Sequence, residues 1–540
     1  MRKYARTLDG LLAHAHLFDD RPFLLGPGGT ALSYAEFLGR VDAVAAWLQA
    51  HNIQRWDKMG VFLPKSAAEA MATLAINRLG GVFVNLSSKT TPGRAAEILR
   101  ECELKALFTT PHMARELVST AREIGCQLIT VPGKAAGVES TGWADIPDLA
   151  ARPGSLAAAV DNDLAAILYT SGSTGRSKGV MISQRNFLDA TARVADYLEL
   201  SPSDRLLSVL PLSAPWGFLQ LTTALHSGAS VILQPVAFPV EIVRSVRAHG
   251  ITGLAAMPPT WIQLVDQLEN DGESLPELRY ITSSGGVIPP RILEAFPRVF
   301  PNARVYLTYG LTEAFRTTVL PPEWFARKAG SLGRPCPNVD IFVIDHGRGL
   351  CGPGQRGELI HRGAAVTLGY WKDEEATRAV YKSCPELRPY IGDEVVHYSG
   401  DIVETDTDGF LWFVGRRDAL IKVAGYRVSA EEIEIAAAES GLVSQAVAFA
   451  QPDPVFGQAI HLAIEPLAGQ PFDADQFLSH CRRTLPTHMV PKRLHAWDES
   501  MPRTGTGKID RHAVIRVHAG SPGASAGSAD ITIVSPSPIS

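Results

Sequence analysis

Apolar positions along the first 160 or so residues switch repeatedly between two spacings. Tyr34 to Ala50 places them as on one face of a helix, Met59 to Leu63 is a short strand-like run, and Ser66 to Leu79 returns to helical spacing. Val82 to Leu86 and Ala106 to Phe108 read as further strands. Strands that alternate with helices predict a mainly parallel sheet with both faces covered. The rhythm resumes with an apolar run from Leu164 to Leu168, a helix from Phe187 to Tyr197, and strands at Ser230 to Leu233, Arg279 to Ser283 and Arg304 to Thr308. Open α/β sheets bind ligands beyond the carboxyl ends of their strands, so Tyr169, Thr282 and Thr308 are expected to ring one pocket.

From about Gly330 the pattern changes to short strands and turns: Asp340 to Ile344, Gly357 to Ile360, Ile402 to Thr405 and Phe410 to Val414. The last two flank Asp406-Thr407-Asp408-Gly409, whose Asp-Gly step predicts a hairpin within a small β-rich unit. Ser429-Ala430-Glu431-Glu432 reads as a capping box, with the Ser429 oxygen taking the N–H of Glu432, and opens a helix through Ala438. A strand at Ala446 to Ala448 and a helix at about Asp475 to Leu485 complete a compact α/β end domain. Its boundary falls at Arg417–Asp418, a polar pair with no apolar anchor. From Gly520 small and turn-forming residues dominate, which predicts a disordered tail.

A 46% hydrophobic, 20% charged chain of 540 residues is globular and has material for more than one core. The formal charge of -5 gives no reason to expect nucleic-acid or anionic-membrane binding. Six cysteines (102, 126, 336, 351, 384 and 481) contain no Cys-x-x-Cys pair and read as free thiols in a reducing compartment. No apolar core of signal-peptide length follows the basic start, and no window approaches a spanning helix, so a soluble cytoplasmic protein is expected.

The first candidate chemistry is Leu168-Tyr-Thr-Ser-Gly-Ser-Thr-Gly-Arg-Ser-Lys-Gly-Val180. A buried strand breaks there into Gly172, Gly175 and Gly179, several hydroxyls, and the cations Arg176 and Lys178. Glycines let the backbone curl so that several N–H groups face one anion, which suits a polyphosphate; an ordinary Ser/Gly turn reads the same way. It is not a Walker loop, because the lysine follows Gly175 by three positions.

Six stretches in order then carry a resemblance: Tyr169 to Gly179, Tyr309-Gly-Leu-Thr-Glu313, Gly357-Glu-Leu359, Tyr398-Ser-Gly-Asp401, Gly415-Arg416 through Gly425-Tyr-Arg427, and Pro502-Arg-Thr-Gly-Thr-Gly-Lys508. The chain resembles the AMP-forming adenylating superfamily of acyl-CoA synthetases, peptide-synthetase adenylation domains and beetle luciferases. The resemblance implies an α/β fold with a large N-terminal domain, residues 1–417, of two α/β sheet subdomains plus a small β-rich, barrel-like subdomain. A small mobile α/β C-terminal domain, 418–518, carries the catalytic lysine, and 519–540 form the tail. The implied activity is ATP-dependent activation of a carboxylic acid to an acyl-adenylate, followed by transfer to a thiol. CoA is the expected acceptor, with a carrier-protein phosphopantetheine as the alternative; a non-catalytic nucleotide-binding relative is the reading from another class.

The site residues follow from that resemblance. Thr170, Ser171, Gly172, Ser173, Thr174, Gly175 and Lys178 would hold the β- and γ-phosphates, and Thr174 and Glu313 would bind Mg²⁺. Standing alone, Glu313 would read as a carboxylate favouring a helix dipole. Ser284, Gly285, Gly286 and Val287 would pass the adenine, Tyr309 would stack on it, and Gly310 and Thr312 would complete that wall. Asp401 would take the ribose hydroxyls with help from Arg416; their other reading is a surface ion pair. Lys508, otherwise a surface lysine, would neutralise charge between the carboxylate and the α-phosphate. Asp418 matches the hinge, and Gly425, Tyr426 and Arg427 the loop of the thiol step, with Lys422 backing that loop or exposed. Trp216, Gly217, Phe218, Ser284 and Gly310 are the candidate acyl pocket. Ala214 stands where the family often has histidine, and no aspartate lies between Ser213 and Leu221 to pair a substrate ammonium, so an acid with an apolar body is expected.

Overall fold

A computed structural model describes residues 5–26, 31–147, 159–170, 178–236, 238–417, 420–423, 426–453, 457–467, 472–486, 489–497, 499–504, 508–518 and 530–534. Residues 171–177, Asp418 and Gly425, to which the sequence assigns phosphate, hinge and thiol-step roles, lie outside them. The sequence rhythm becomes two largely parallel sheets. The glycine-loop sheet runs in spatial order through Thr141–Gly142, Gln127–Thr130, Ala106–Thr109, Lys58–Phe62, Val82–Asn85, Leu164–Thr170 and Lys178–Ser183, the last pair antiparallel. The second, the Tyr309 sheet, has a parallel centre containing Ser230–Leu233, Arg205–Ser208, Gly253–Ala256, Tyr280–Ser283 and Arg304–Tyr309.

Helices begin where polar side chains satisfy the first free N–H groups. Ser33 and Glu36 form a reciprocal capping box that opens Tyr34–Ala50, and Ser66 caps Ala67–Arg78. These two helices, with Gln184–Tyr197 and Pro215–Ser227, share one apolar core with the inner faces of both sheets. Within it Phe218 lies with its ring centroid 5.0 Å from those of both Phe83 and Phe187. Separate apolar clusters cover the two outer faces, so the sheets are buried on both sides.

A third, antiparallel sheet curls from Val339–Asp345 through Arg356–Gly363 to Val395–Thr405, which also pairs with Leu411–Arg416. Its expected hairpin is present: Asp406 Oδ1 accepts the N–H groups of Asp408 and Phe410, and Gly409 adopts a φ of 81°. Beyond it the hairpin of Leu420–Val423 with Tyr426–Ser429 leads into the helix Ala430–Glu439. Ser429 caps that helix at 3.4 Å from the N–H of Glu432, but Glu432 points its carboxylate at Arg356, 3.4 Å away, so opposite charge replaces the return arm of a capping box. Val443–Asp453, Gly457–Pro466 and Arg493–Trp497 form the end unit's sheet, against which Ala474–Thr484 packs.

One expectation is corrected here. Asp530–Val534, inside the stretch expected to be a disordered tail, is a strand parallel to Arg493–Trp497. Its β-branched run Ile531-Thr532-Ile533-Val534 favours a strand, a signal diluted by the surrounding Gly, Ser and Pro when composition is averaged. All six cysteines are free, and no helix among the described residues is long and apolar enough to cross a membrane.

Three histidines meet in the end unit: His461 Nδ1 lies 3.0 Å from His495 Nε2, and the His495 and His518 rings are 4.2 Å apart. Burial, then His518, His461 and Arg493, push His495 down to about 3; burial and Arg493 lead in taking His461 down to about 4. Depressed folded values mean that the unfolded chain binds more protons once pH drops below the usual histidine range, so stability is lost as pH falls from about 6.5 towards about 4. A His495→Phe variant should show a shallower decline of melting temperature across that window; an unchanged slope would remove His495 as its source.

Candidate active site

The carboxyl ends of Tyr280–Ser283 and Arg304–Tyr309 lie side by side, and the Thr308 hydroxyl donates to the Ser283 carbonyl at 3.1 Å. Beyond the first strand the chain continues through Ser284, Gly285 with a φ of 83°, Gly286 and the exposed Val287. Beyond the second, Gly310 starts a tight loop: a Cβ there would lie 2.4 Å from the backbone nitrogen of Arg316. Thr312 and Glu313 sit on this loop, partly exposed.

Tyr309, Asp401 and Arg416 come together from different sheets. The Tyr309 hydroxyl donates to Asp401 Oδ2, Arg416 Nη1 lies 3.2 Å from Asp401 Oδ1, and Asp401 and Arg416 are cross-strand partners. Burial, reinforced by the Asp401 charge, pushes the Tyr309 phenol up, so it stays a donor. Behind Tyr309 its ring stacks on His361, with centroids 6.0 Å apart, and His361 in turn stacks on His397 at 5.9 Å. Neither His361 nitrogen has a hydrogen-bond partner among the described residues, and burial, then His397, pushes this imidazole down into its neutral form.

Lys508 reaches the same cleft from the end unit. Its loop is closed by a bridge between Arg503 and Ile509 and by the Thr504 N–H donating to the Lys508 carbonyl at 2.7 Å. Arg511, bound to Glu434 Oε2 at 2.7 Å, fixes the following helix to the unit. A Cβ on Gly285 would come 3.7 Å from Lys508 Nζ. Solvent reaches the side chain from the open side of the cleft, while the surrounding walls push its pKa down, opposed by Asp401 and aided by Arg416.

The glycine-loop hairpin is stitched to this centre. Thr170 and Lys178 pair at its mouth, and the segment 366–371 bridges Val180 to Tyr370 and Val366 to Ala314. The Tyr370 hydroxyl donates to Glu313 Oε1 at 2.9 Å, and Lys178 Nζ lies 4.9 Å from the centre of the Tyr370 ring. Glu313 and Lys178 therefore flank one tyrosine.

Other expectations are redirected. Tyr169 leaves the pocket ring: its side chain alternates to the outer face of its strand, where its hydroxyl meets Cys102 Sγ at 3.3 Å. Thr282 is buried on the inner face of its sheet. Phe218 is fully buried in the core, since two residues along a helix turn its ring about 200° away from Trp216. Gly217 packs on backbone, where a Cβ would lie 2.0 Å from the Pro211 oxygen, so neither lines an acyl pocket. Trp216, Ser284 and Gly310 remain. Tyr426 and Arg427 lie in the short hairpin, opposite Val423 and Lys422. Sequence reasoning missed Tyr370, His361 and Arg316; Arg316 stands three residues after Glu313, and nothing local marks it.

These features define an adenylate-forming enzyme, and the chain belongs to the AMP-binding enzyme family: the family model matches residues 11–371, and the model of the AMP-binding enzyme C-terminal domain matches residues 432–508. It is an AMP-forming acid–thiol ligase. The L-proline–[L-prolyl-carrier protein] ligase of Streptomyces coelicolor is 31% identical over 89% of this chain and 91% of its own length. An indoleacetate–CoA ligase of Aromatoleum aromaticum is 29% identical over 92% of this chain and 96% of its own. Among solved structures, ATP-bound MatB from Rhodopseudomonas palustris superposes with a TM-score of 0.83 at 25% identity, covering 95% of this chain and 99% of that one.

Gly310→Ala should destabilise the protein by about 1–3 kcal/mol, because the atom that its Cβ meets is backbone and cannot turn aside. Unfolding of the purified variant, in urea or by heat, measures this, and a wild-type midpoint would contradict the packing described.

Proposed function

We propose that the chain joins a carboxylic acid to the thiol of CoA at the expense of ATP, in two chemical steps on one cleft. In the first, a carboxylate oxygen attacks the α-phosphorus, the bond to the bridging β-phosphate oxygen breaks, and pyrophosphate leaves. In the second, the thiol sulfur attacks the acyl carbonyl, AMP leaves, and the thiol proton passes to solvent. Both substrates of the first step are anions, so the protein's contribution is fixed positive charge where negative charge builds up.

What carries this reading is that Lys508, from the end unit, lies against Gly285 and within electrostatic reach of Asp401 and Arg416. On it, Asp401 accepts the ribose hydroxyls, Arg416 steadies that carboxylate, and the Tyr309 ring, backed by His361, stacks on adenine. Ser171, Ser173, Thr174 and Lys178 hold the outer phosphates. Glu313 fits a Mg²⁺ site: Tyr370 engages Oε1 and no hydrogen bond from a described residue occupies Oε2, a hard oxygen donor to be joined by Thr174. Bound with the triphosphate, the ion would screen its charge. ATP supply and reduced thiols are cytoplasmic conditions, which supports that compartment.

The same first step serves a second acceptor, the phosphopantetheine of a carrier protein, and likeness to a carrier-protein ligase over nearly the whole chain favours that reading. Comparing turnover of the adenylate with CoA and with purified carrier proteins separates the two. For the second step we assign residues 418–518 as a mobile domain that turns about Asp418, withdrawing Lys508 and bringing in Gly425, Tyr426 and Arg427.

Carboxylate-dependent exchange of labelled pyrophosphate into ATP is expected with some members of an acid panel, and its absence with all would overturn the assignment. Lys508→Ala should lower that exchange by about 100-fold or more while ATP affinity changes little; equal losses in both would mean that the lysine acts only in binding. Asp418→Pro should leave exchange intact and slow thioester formation, and an unaffected second step would remove the hinge.

A further inference from the structure

Arg316 is a buried cation to which no described residue supplies an anion. It is 5% exposed, its Nη1 donates to Thr308 Oγ1, and its guanidinium carbon lies 4.3 Å from the centre of the Trp216 ring. No carboxylate of a described residue pairs with it, and its guanidinium makes no other hydrogen bond to a described residue. The acid nearest along this network, Asp189, is occupied by Arg193 Nε and Asn338 Nδ2, each at 2.6 Å. Arg193 in turn donates to the Arg316 and Phe315 carbonyls, which props the backbone turn and adds a second positive charge. Arg316 also holds a φ of 50°, a conformation that is unfavourable for a residue with a side chain. A desolvated charge and a strained backbone, both unfavourable, coincide at one residue beside the cleft.

Its position gives the charge a use. Thr308, which Arg316 engages, bonds to the Ser283 carbonyl, two residues before the Gly285 on which Lys508 rests. Both cations therefore attach to the same pair of strand ends, Lys508 at Gly285 and Arg316 through Thr308, beside an indole wall.

We propose that Arg316 selects the substrate: it binds a second carboxylate at the far end of the acid whose first carboxylate is activated beside Lys508, so the substrate class is short dicarboxylic acids. This rests on the adenylating reading above and narrows it. A guanidinium presents paired donors that match a carboxylate, and the incoming anion neutralises a charge that is otherwise left uncompensated. Trp216 supplies the apolar wall for the carbon chain between, and the expected apolar body becomes the middle of the molecule rather than its end.

Pyrophosphate exchange by the wild-type protein with matched pairs, butanoate against succinate, pentanoate against glutarate and hexanoate against adipate, tests this directly. At least one diacid should exceed its monoacid partner in kcat/KM by about 30-fold or more. Arg316→Met should abolish that preference, with the KM for ATP unchanged, and Arg316→Lys should retain part of it. Equal or better use of monoacids by the wild type, or a Met variant that lowers both members of a pair equally, overturns the assignment. Should the Met variant not fold, the wild-type panel decides alone. Exchange with monoacids only removes the role of Arg316 and leaves adenylation standing; no exchange with any acid removes both.

Discussion

A single buried carboxylate interacts with groups from two sheets and from the end unit. Asp401, 3% exposed on the curled sheet, receives the Tyr309 hydroxyl from a second sheet, pairs with Arg416 across its own hairpin, and acts on Lys508 from the end unit. A carboxylate so far from solvent is tolerated only where donors and cations surround it, so the groups that stabilise it are drawn to one point. Around that point the fold gathers the Tyr309 ring, the Lys508 ammonium and the Arg416 guanidinium.

The second organising constraint is backbone pairing by the segment 366–371. It adds to the strand Lys178–Ser183 on one side and to the loop at Ala314 on the other, so that hairpin and the loop after Tyr309 are tied through one segment. Tyr370 then sets the Glu313 carboxylate while lying under Lys178. Glu313 and Lys178 are thus brought to one tyrosine through a short strand-like stretch that carries no chemical signature of its own.

The cations at the site differ in their partners. Arg416 pairs with Asp401 and Lys508 feels the same carboxylate, whereas Arg316 has an indole face and a hydroxyl but, among the described residues, no counter-charge. In a low-dielectric interior an unbalanced guanidinium is a strong discriminator, because it makes a neutral occupant costly to seat as well as an anionic one favourable.

The alternation of strand and helix was readable from apolar spacing alone, often to the residue: Tyr34 to Ala50 and Ser230 to Leu233 form the elements expected, because their burial follows directly from local period. Motif order likewise identified Asp401, Arg416 and Lys508 before any geometry, since each sits in a short, chemically distinctive stretch. Local pattern failed where direction matters. Tyr169 and Phe218 lie one or two residues from their motifs' working faces, and strand alternation and helical turn send both into core. It failed again for Arg316, His361 and Tyr370, whose roles come from partners far away in the chain; which partners those are is set by the packing of three sheets and an end unit, a property of the folded surface and not of any local run of residues. The sequence by itself therefore determined the elements, their order and the motifs that carry the family resemblance, because spacing and side-chain chemistry are local; only the tertiary structure decided which side chains face the cleft and which charge there has no opposite partner among the described residues.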